Sequence, residues 1–173
     1  VTGNEVGLDL RFFNGRVNID LTYYNQKTTN ALVYRPLARS SGFDQVVSNT
    51  GEMVNKGIEL VLSGTPYKND KFAWDISLNF TKNTSEVLAL AEGVDEVDVE
   101  AAFVSIGSYA IVGEPYGVFY GTKWKRNDAG ELLINPNTGL PLIEDQRGNI
   151  GNPFPDWLLG FRNTFTYKGV SLT

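Results

Sequence analysis

Phe72-Ala73-Trp74-Asp75-Ile76-Ser77-Leu78-Asn79-Phe80-Thr81 alternates large apolar residues with small or polar ones over its whole length, without an exception. Successive side chains of a strand point to opposite faces, so this spacing gathers Phe72, Trp74, Ile76, Leu78 and Phe80 on one face, as a half-buried strand requires. Working outward, the same period recurs on both sides. Glu5 to Phe13 sets Leu8, Leu10 and Phe12 against Asp9 and Arg11, and Val17, Ile19, Leu21 and Tyr23 alternate with Asn18, Asp20, Thr22 and Tyr24. Between these runs, Asn14-Gly15 favours a type I′ hairpin because both residues tolerate positive φ. Ile58, Leu60 and Leu62 oppose Glu59, Val61 and Ser63 until Gly64-Thr65-Pro66, where proline removes a ladder donor. Trp157, Leu159, Phe161, Phe165 and Tyr167 form another apolar face, interrupted by Asn163, and Tyr167-Lys168-Gly169 turns into a short run from Val170. Strands are therefore predicted over about 5–13, 16–25, 56–64, 72–82, 156–167 and 170–173.

The connections between these runs alternate in length. Turns at Asn14-Gly15, Thr65 to Lys71 and Tyr167 to Gly169 are short, whereas the loops over about 26–50 and 83–155 are long. Compact soluble domains favour connections of about 4–6 residues throughout. Outer-membrane barrels have this asymmetry as a rule, with tight periplasmic turns and long outside loops, and their strands need about 9–11 residues to cross the hydrocarbon at a tilt. The polar faces are rich in Asn, Asp, Ser and Thr, which suits a water-filled lumen. Tyr23, Tyr24, Tyr67, Phe72, Phe80, Trp157 and Tyr167 lie near strand ends, where amphipathic rings sit at headgroup level. The expected fold is all-β: an antiparallel meander forming part of a large transmembrane β-barrel, with short periplasmic turns and long extracellular loops. Six strands cannot close even the smallest barrel, of about 8 strands, so the remaining wall is expected to lie outside this sequence. The chain opens and closes inside strand-like text, which reads as a fragment boundary.

Composition removes most chemistry. The 173 residues contain no Cys and no His, which excludes thiolate or imidazole metal sites, cysteine nucleophiles and Ser-His-Asp triads within them. Fifteen Lys plus Arg against 20 Asp plus Glu argue against nucleic acid as a partner, since neutralising phosphates needs clustered cations. The nearest cluster, Lys123, Lys125 and Arg126, reads as the wet face of a strand. No stretch reaches the roughly 18 consecutive apolar residues of a transmembrane helix.

In the long loops, Asn127-Asp128-Ala129-Gly130 and Asn135-Pro136-Asn137-Thr138-Gly139 read as hairpin turns, and Gly117 to Lys125 as a strand. Asn127 to Glu131 lacks the spaced acids of a calcium loop, so no metal is assigned. The acidic run Glu92, Asp95, Glu96, Asp98 and Glu100 reads as solvated, and no sequence spacing selects a carboxylate pair for glycoside hydrolysis. No cofactor and no catalytic residue are expected. Tyr109, Tyr116, Tyr120 and Trp124 put flat apolar faces into a polar loop and are the candidate ligand contacts, as a platform for carbohydrate or peptide. Packing of the loop on itself accounts for them equally well. Ser85 to Ala91 is too short to assign between helix and strand extension.

Gly51-Glu52-Met53-Val54-Asn55-Lys56-Gly57-Ile58-Glu59-Leu60 resembles the N-x-G-E-x-x-N-K-G-I-E-L stretch of SusC/RagA-type TonB-dependent transporters. Leu8 to Phe13 with Tyr23-Tyr24-Asn25, Trp74 to Phe80, Gly113-Glu114-Pro115-Tyr116-Gly117, and Gly151-Asn152-Pro153-Phe154-Pro155-Asp156-Trp157 are similar to that family's barrel segments, in the same order. Val54 stands where the family motif often has a basic residue. The resemblance implies a C-terminal portion of a plugged barrel of roughly 22 strands in the bacterial outer membrane. It further implies energy delivered by the TonB complex through a plug absent from this sequence, a SusD-like surface lipoprotein as partner, and import of an oligosaccharide or peptide without bond cleavage. A soluble secreted β-sandwich that binds carbohydrate is the alternative, since it would share the strand alternation and the loop aromatics.

Overall fold

The computed structural model describes residues 1–103 and 106–173. Ten strands run in chain order: β1 Thr2–Phe12, β2 Val17–Pro36, β3 Gln45–Lys68, β4 Phe72–Ala89, β5 Glu96–Phe103, β6 Ile106–Ile111, β7 Val118–Gly121, β8 Gly148–Gly151, β9 Leu158–Tyr167 and β10 Val170–Leu172. Among the described residues the helical content is one 3-10 turn, Arg39–Ser41. A six-stranded sheet has the order β1-β2-β3-β4-β9-β10 and a four-stranded sheet the order β5-β6-β7-β8. Two compact units result, one of Val1–Thr28, Val54–Ser85 and Pro155–Thr173, the other of Thr29–Met53 and Glu86–Phe154.

In the first unit the register separates two chemistries. Leu8 faces Leu21, Leu10 faces Ile19 and Phe12 faces Val17, while Asp9 faces Asp20 and Arg11 faces Asn18. Across β4 and β9, Trp74 faces Phe165 and Leu78 faces Phe161, while Asp75 faces Thr164 and Ser77 faces Arg162. Since the period is two, one register gathers most apolar residues on one face and most polar residues on the other, with Asn163 the polar exception on the apolar face. The apolar face is left accessible, Leu8 at 53%, Leu159 at 53% and Phe161 at 62%. Two aromatic groups bracket it along β4. Phe72 and Trp74 stack on Phe165 at 6.4 and 5.9 Å, and Phe80 stacks on Trp157 at 6.4 Å. Asn163, which breaks the apolar pattern of β9, accepts the Trp74 indole N–H at 3.2 Å. That bond gives the indole N–H an acceptor, and it accounts for the interruption.

Three glycines of β3 mark where β2 approaches closely. A Cβ at Gly64 would lie 3.0 Å from the Arg16 carbonyl, at Gly57 it would run into the Tyr24 ring, and at Gly51 it would come within 2.9 Å of Val33. Ascending numbers on β3 meet descending numbers on β2, so this pair is antiparallel as well.

Several boundaries differ from those predicted. β2, β3 and β4 are 20, 24 and 18 residues long and continue well past 25, before 56 and past 82. Gln26-Lys27-Thr28-Thr29-Asn30 carries no apolar alternation, so the period ends although neighbouring strands still complete its ladder. The expected loop over 26–50 contracts to the bend closed by Leu37 N donating to the Asp44 carbonyl at 2.9 Å. Ser85 to Ala89 is strand, and the span 83–155 holds β5 to β8. The strand expected from Gly117 to Lys125 stops at Gly121. The first hairpin is also displaced: Phe13 and Asn14 take positive φ (54° and 55°) ahead of Gly15 at 83°, and the ladder closes at Phe12–Val17. A two-residue turn with positive φ at both positions occurs instead at Lys168-Gly169, at 47° and 88°.

In the second unit the residues between β7 and β8 close a small triangle. Trp124 bridges Ile143, Arg126 bridges Leu132 and Ile134 bridges Pro141, all antiparallel. Each bridge is flanked by its own hydrogen bonds, among them Lys125 N to Leu142 O (2.8 Å), Leu133 N to Lys125 O (2.9 Å) and Leu142 N to Leu133 O (2.8 Å). Each of the three short segments therefore pairs with both others, through a ring in which the Lys125, Leu133 and Leu142 backbones bond one another.

Candidate functional site

The four aromatic residues singled out in the sequence all lie in the second unit, within Glu86–Phe154. Its small core is Val33, Val87, Ala91, Ala110 and Val118, with Val118 fully buried. Gly113-Glu114-Pro115-Tyr116-Gly117 is the turn between β6 and β7, with φ of 86° and 81° at its two glycines, where a side chain would be strained. It is anchored by Val87 N donating to the Glu114 carbonyl (2.9 Å), Gly113 N to the Val87 carbonyl (2.8 Å) and Gly117 N to the Tyr109 carbonyl (3.0 Å). The Glu114 carboxylate accepts from the Asn149 amide at 2.9 Å, tying the turn to β8.

β6 pairs with β7 so that Tyr109 faces Val118 and Tyr120 faces Gly107. This places Tyr109 and Tyr120 on neighbouring strands with ring centroids 5.4 Å apart, tilted by 57°. Arg147, just before β8, lies over both rings, its guanidinium carbon 4.9 Å from one centroid and 5.2 Å from the other. Its Nη2 donates to the Tyr109 hydroxyl at 3.0 Å and to the Tyr120 carbonyl at 3.3 Å. The cation thus holds two rings in one orientation through ring-face attraction and hydrogen bonds together. Desolvation, helped by the Glu96 carboxylate, raises the Tyr120 phenol pKa, and the hydrogen bond to Tyr109 raises that of Arg147. The cluster presents one fixed cation, two phenols and a carboxylate.

The four aromatic residues singled out in the sequence are not one platform. Tyr109 and Tyr120 come together. Tyr116 instead borders an apolar cavity of about 310 Å³ lined also by Val33, Met53, Val87, Leu90 and Val97. Trp124 stands on the triangle, bridged to Ile143. Arg147 was missed, because nothing in the chain between Tyr120 and Arg147 signals that β8 will return beside β7. Of the acidic run, Glu96 joins the tyrosine cluster, and the Glu100 side chain lies outside the described residues. Among the described residues no group of three or more acidic side chains is placed to hold a metal ion. Asn127 and Glu131 hydrogen-bond each other at 2.9 Å, the turn that their spacing predicts.

The polar face of the first unit offers a second set of groups. Tyr24 lies across Gly57 and donates from its hydroxyl to the Asn83 side-chain oxygen at 3.0 Å. Thr65 donates to Asp75 at 2.6 Å, and Arg11 pairs with Asp9 at 3.1 Å. Glu5, Gln26, Asn55 and Glu59 surround the tyrosine in an open hollow. These polar side chains are hydrogen-bonded among themselves.

A family model described as "TonB dependent receptor-like, beta-barrel" matches residues 1–171. The chain belongs to this TonB-dependent receptor β-barrel family. Among its relatives are TonB-dependent receptor P26 of Formosa agariphila, 32% identical over 98% of this chain, and TonB-dependent receptor SusC of Bacteroides thetaiotaomicron, 33% identical over 96%. The chain spans about a fifth of the length of these relatives, 19% and 18% respectively. The solved RagAB peptide importer in its "open-open" state has the same fold, with a TM-score of 0.75 at 24% identity, over 98% of this chain and 19% of that one. For a TonB-dependent receptor barrel, an accessible apolar sheet face bracketed by aromatic residues is the surface that meets lipid.

Proposed function

We propose that the chain is a sector of the wall and outer loops of a TonB-dependent importer in the bacterial outer membrane. The observation that carries this reading is the six-stranded sheet, whose one face is accessible and apolar but for Asn163, while the other is mainly polar and hydrogen-bonded within itself. A soluble sandwich would cover such a face with a second sheet. Here the face has the girdled form of a lipid-facing wall, and the family match agrees. In this reading the polar face meets the lumen and plug, energy comes from the TonB complex through the plug, and a SusD-like lipoprotein at the cell surface helps to capture substrate. No bond in the substrate is broken by these residues.

The cargo is an oligosaccharide or a peptide, as the family resemblance implies; the RagAB peptide importer, a fold relative, supports the peptide. Tyr109, Tyr120 and Arg147 are the residues best prepared to meet it, since a cation and two rings already held in place lose little freedom on contact. Tyr116 and Trp124 belong to other surfaces. The deciding experiment is cysteine scanning of residues 72 to 81 in the full-length receptor in membranes, with a water-soluble and a lipid-soluble thiol reagent. Alternating reagent preference supports the wall; uniform labelling by the water-soluble reagent, or protection of the apolar face from both, returns the soluble sandwich. For the loop cluster, Arg147→Ala should reduce substrate uptake while leaving the amount of folded receptor unchanged.

A further inference from the structure

Three short turns of the first unit lie side by side along one rim of the six-stranded sheet. Thr65 N donates to the Arg16 carbonyl beside the first turn, and Lys168 N to the Lys71 carbonyl between the second and third, both at 2.9 Å. The rim carries Arg16, Lys68, Lys71 and Lys168 against one carboxylate, Asp70, in a chain whose 20 acids outnumber its 15 Lys and Arg. All four cations are exposed, and among the described residues none is in an ion pair. Aromatic rings border the rim on the apolar side. Phe72 pairs with Tyr167 across β4 and β9, and the Tyr67 ring lies 5.9 Å from that of Phe72. The Lys168 ammonium sits 5.4 Å from the centroid of the Tyr167 ring, which holds this charge against the girdle. Asn69 sets the second turn: its Oδ1 accepts from Lys71 N at 2.9 Å and Phe72 N at 2.8 Å, and its amide donates to the Tyr67 hydroxyl at 3.1 Å. Among the described residues that hydroxyl has no acceptor for its own proton.

We propose that Lys71, Lys168 and Tyr67 form a binding site for the phosphate of an anionic phospholipid in the leaflet that faces the periplasm, an inference that rests on the wall reading above. Continuity selects lipid. The girdle rings belong to the face that meets hydrocarbon, and cations immediately beyond such a face lie at headgroup depth. Further strands of the barrel join the sheet at its free edges, β1 and β10, and a plug fills the lumen on the opposite face, so neither covers the lipid side of this rim. Charge selects the headgroup. Two ammonium groups from turns joined by a backbone hydrogen bond, with a phenol O–H beside them, are all donors, and phosphate oxygens are acceptors. A zwitterionic headgroup brings its own ammonium to the same place and gains less from these cations.

The test uses the full-length receptor in detergent, with bound lipid counted by native mass spectrometry at equal concentrations of phosphatidylglycerol and phosphatidylethanolamine. Lys71→Gln with Lys168→Gln removes both ammonium groups. Lys123→Gln with Lys125→Gln is the control, removing two charges from the connection between β7 and β8. The unsubstituted receptor should retain phosphatidylglycerol over phosphatidylethanolamine by at least about fivefold, the rim variant should fall to within about twofold, and the control should match the unsubstituted receptor. No preference in the unsubstituted receptor overturns the proposal, as does a preference kept by the rim variant. Equal loss in the rim variant and the control shows a general charge effect and overturns it too. Displacement of phosphatidylglycerol by equimolar inorganic phosphate shows a site for a free anion and also overturns it. Should the rim variant fail to fold, a photoactivatable phosphatidylglycerol on the unsubstituted receptor decides: crosslinks at residues 67–71 and 168, absent with the phosphatidylethanolamine analogue, support the site, and their absence overturns it. The cysteine scan of residues 72 to 81 separates this failure from that of the wall reading, because alternation there without a phosphatidylglycerol preference leaves the wall and removes this site.

Discussion

Lysine at Leu78 and lysine at Asn79 should differ sharply in cost although the positions are adjacent. Leu78 faces Phe161 on the apolar side and Asn79 faces Gly160 on the polar side. The aromatic groups at Phe72 and Phe80 bracket the apolar stretch, and eight residues at about 3.3 Å of rise with a tilt near 40° separate them by roughly 20 Å along the membrane normal. Their midpoint is Ile76, so Leu78 lies only about 5 Å from the bilayer centre by the same arithmetic. A lysine near the midplane of a barrel's lipid face costs about 2–4 kcal/mol, and this small offset places Leu78→Lys at about 2–3 kcal/mol. Asn79→Lys should cost under about 1 kcal/mol, because the ammonium stays in water above the hydrogen side chain of glycine. The assay is reversible urea unfolding of the full-length receptor in lipid vesicles, followed by tryptophan fluorescence and gel mobility. Equal destabilisation by the two substitutions, or a larger effect at Asn79, would refute the assignment of faces.

Replacing Asn163 by Leu leaves the Trp74 indole without its acceptor and should destabilise the receptor by about 1–2 kcal/mol, and adding Trp74→Phe should recover part of that loss; strict additivity in the double-mutant cycle would sink the pairing. Gly57→Ala drives a methyl into the Tyr24 ring and displaces it from Asn83, at a cost of about 1–3 kcal/mol in the same unfolding assay, whereas a neutral result would mean the ring moves aside freely. The Tyr120 phenol, raised first by desolvation and then by Glu96, should ionise above the usual value of about 10 in an absorbance titration read as the difference from Tyr120→Phe. Glu96→Gln should bring that value down. The sign follows from the raised pKa: its contribution to stability is complete below the unfolded value and is lost as pH rises through the folded one.

The amino-acid sequence by itself determined the strand class, the two-faced character of the sheet and its membrane chemistry. These are local properties: a period of two in Phe72 to Thr81, a break at Gly64-Thr65-Pro66, and long and short connections in alternation can all be counted along the chain. Where that local signal faded, strand ends went unrecognised, as in Gln26 to Asn30, whose ladder is completed by neighbours rather than by its own pattern. Asn163 read as a flaw in β9 until the ladder set it beside the Trp74 indole, and Gly57 read as one letter of a motif until Tyr24 was seen to cross it. Only the tertiary structure drew Arg147 over Tyr109 and Tyr120, separated Trp124 from them, and closed three short bridges into a triangle. Each of these joins residues distant in sequence, and the hydrogen-bond register that unites them depends on which strands become neighbours, a choice made by the whole sheet and by no single segment.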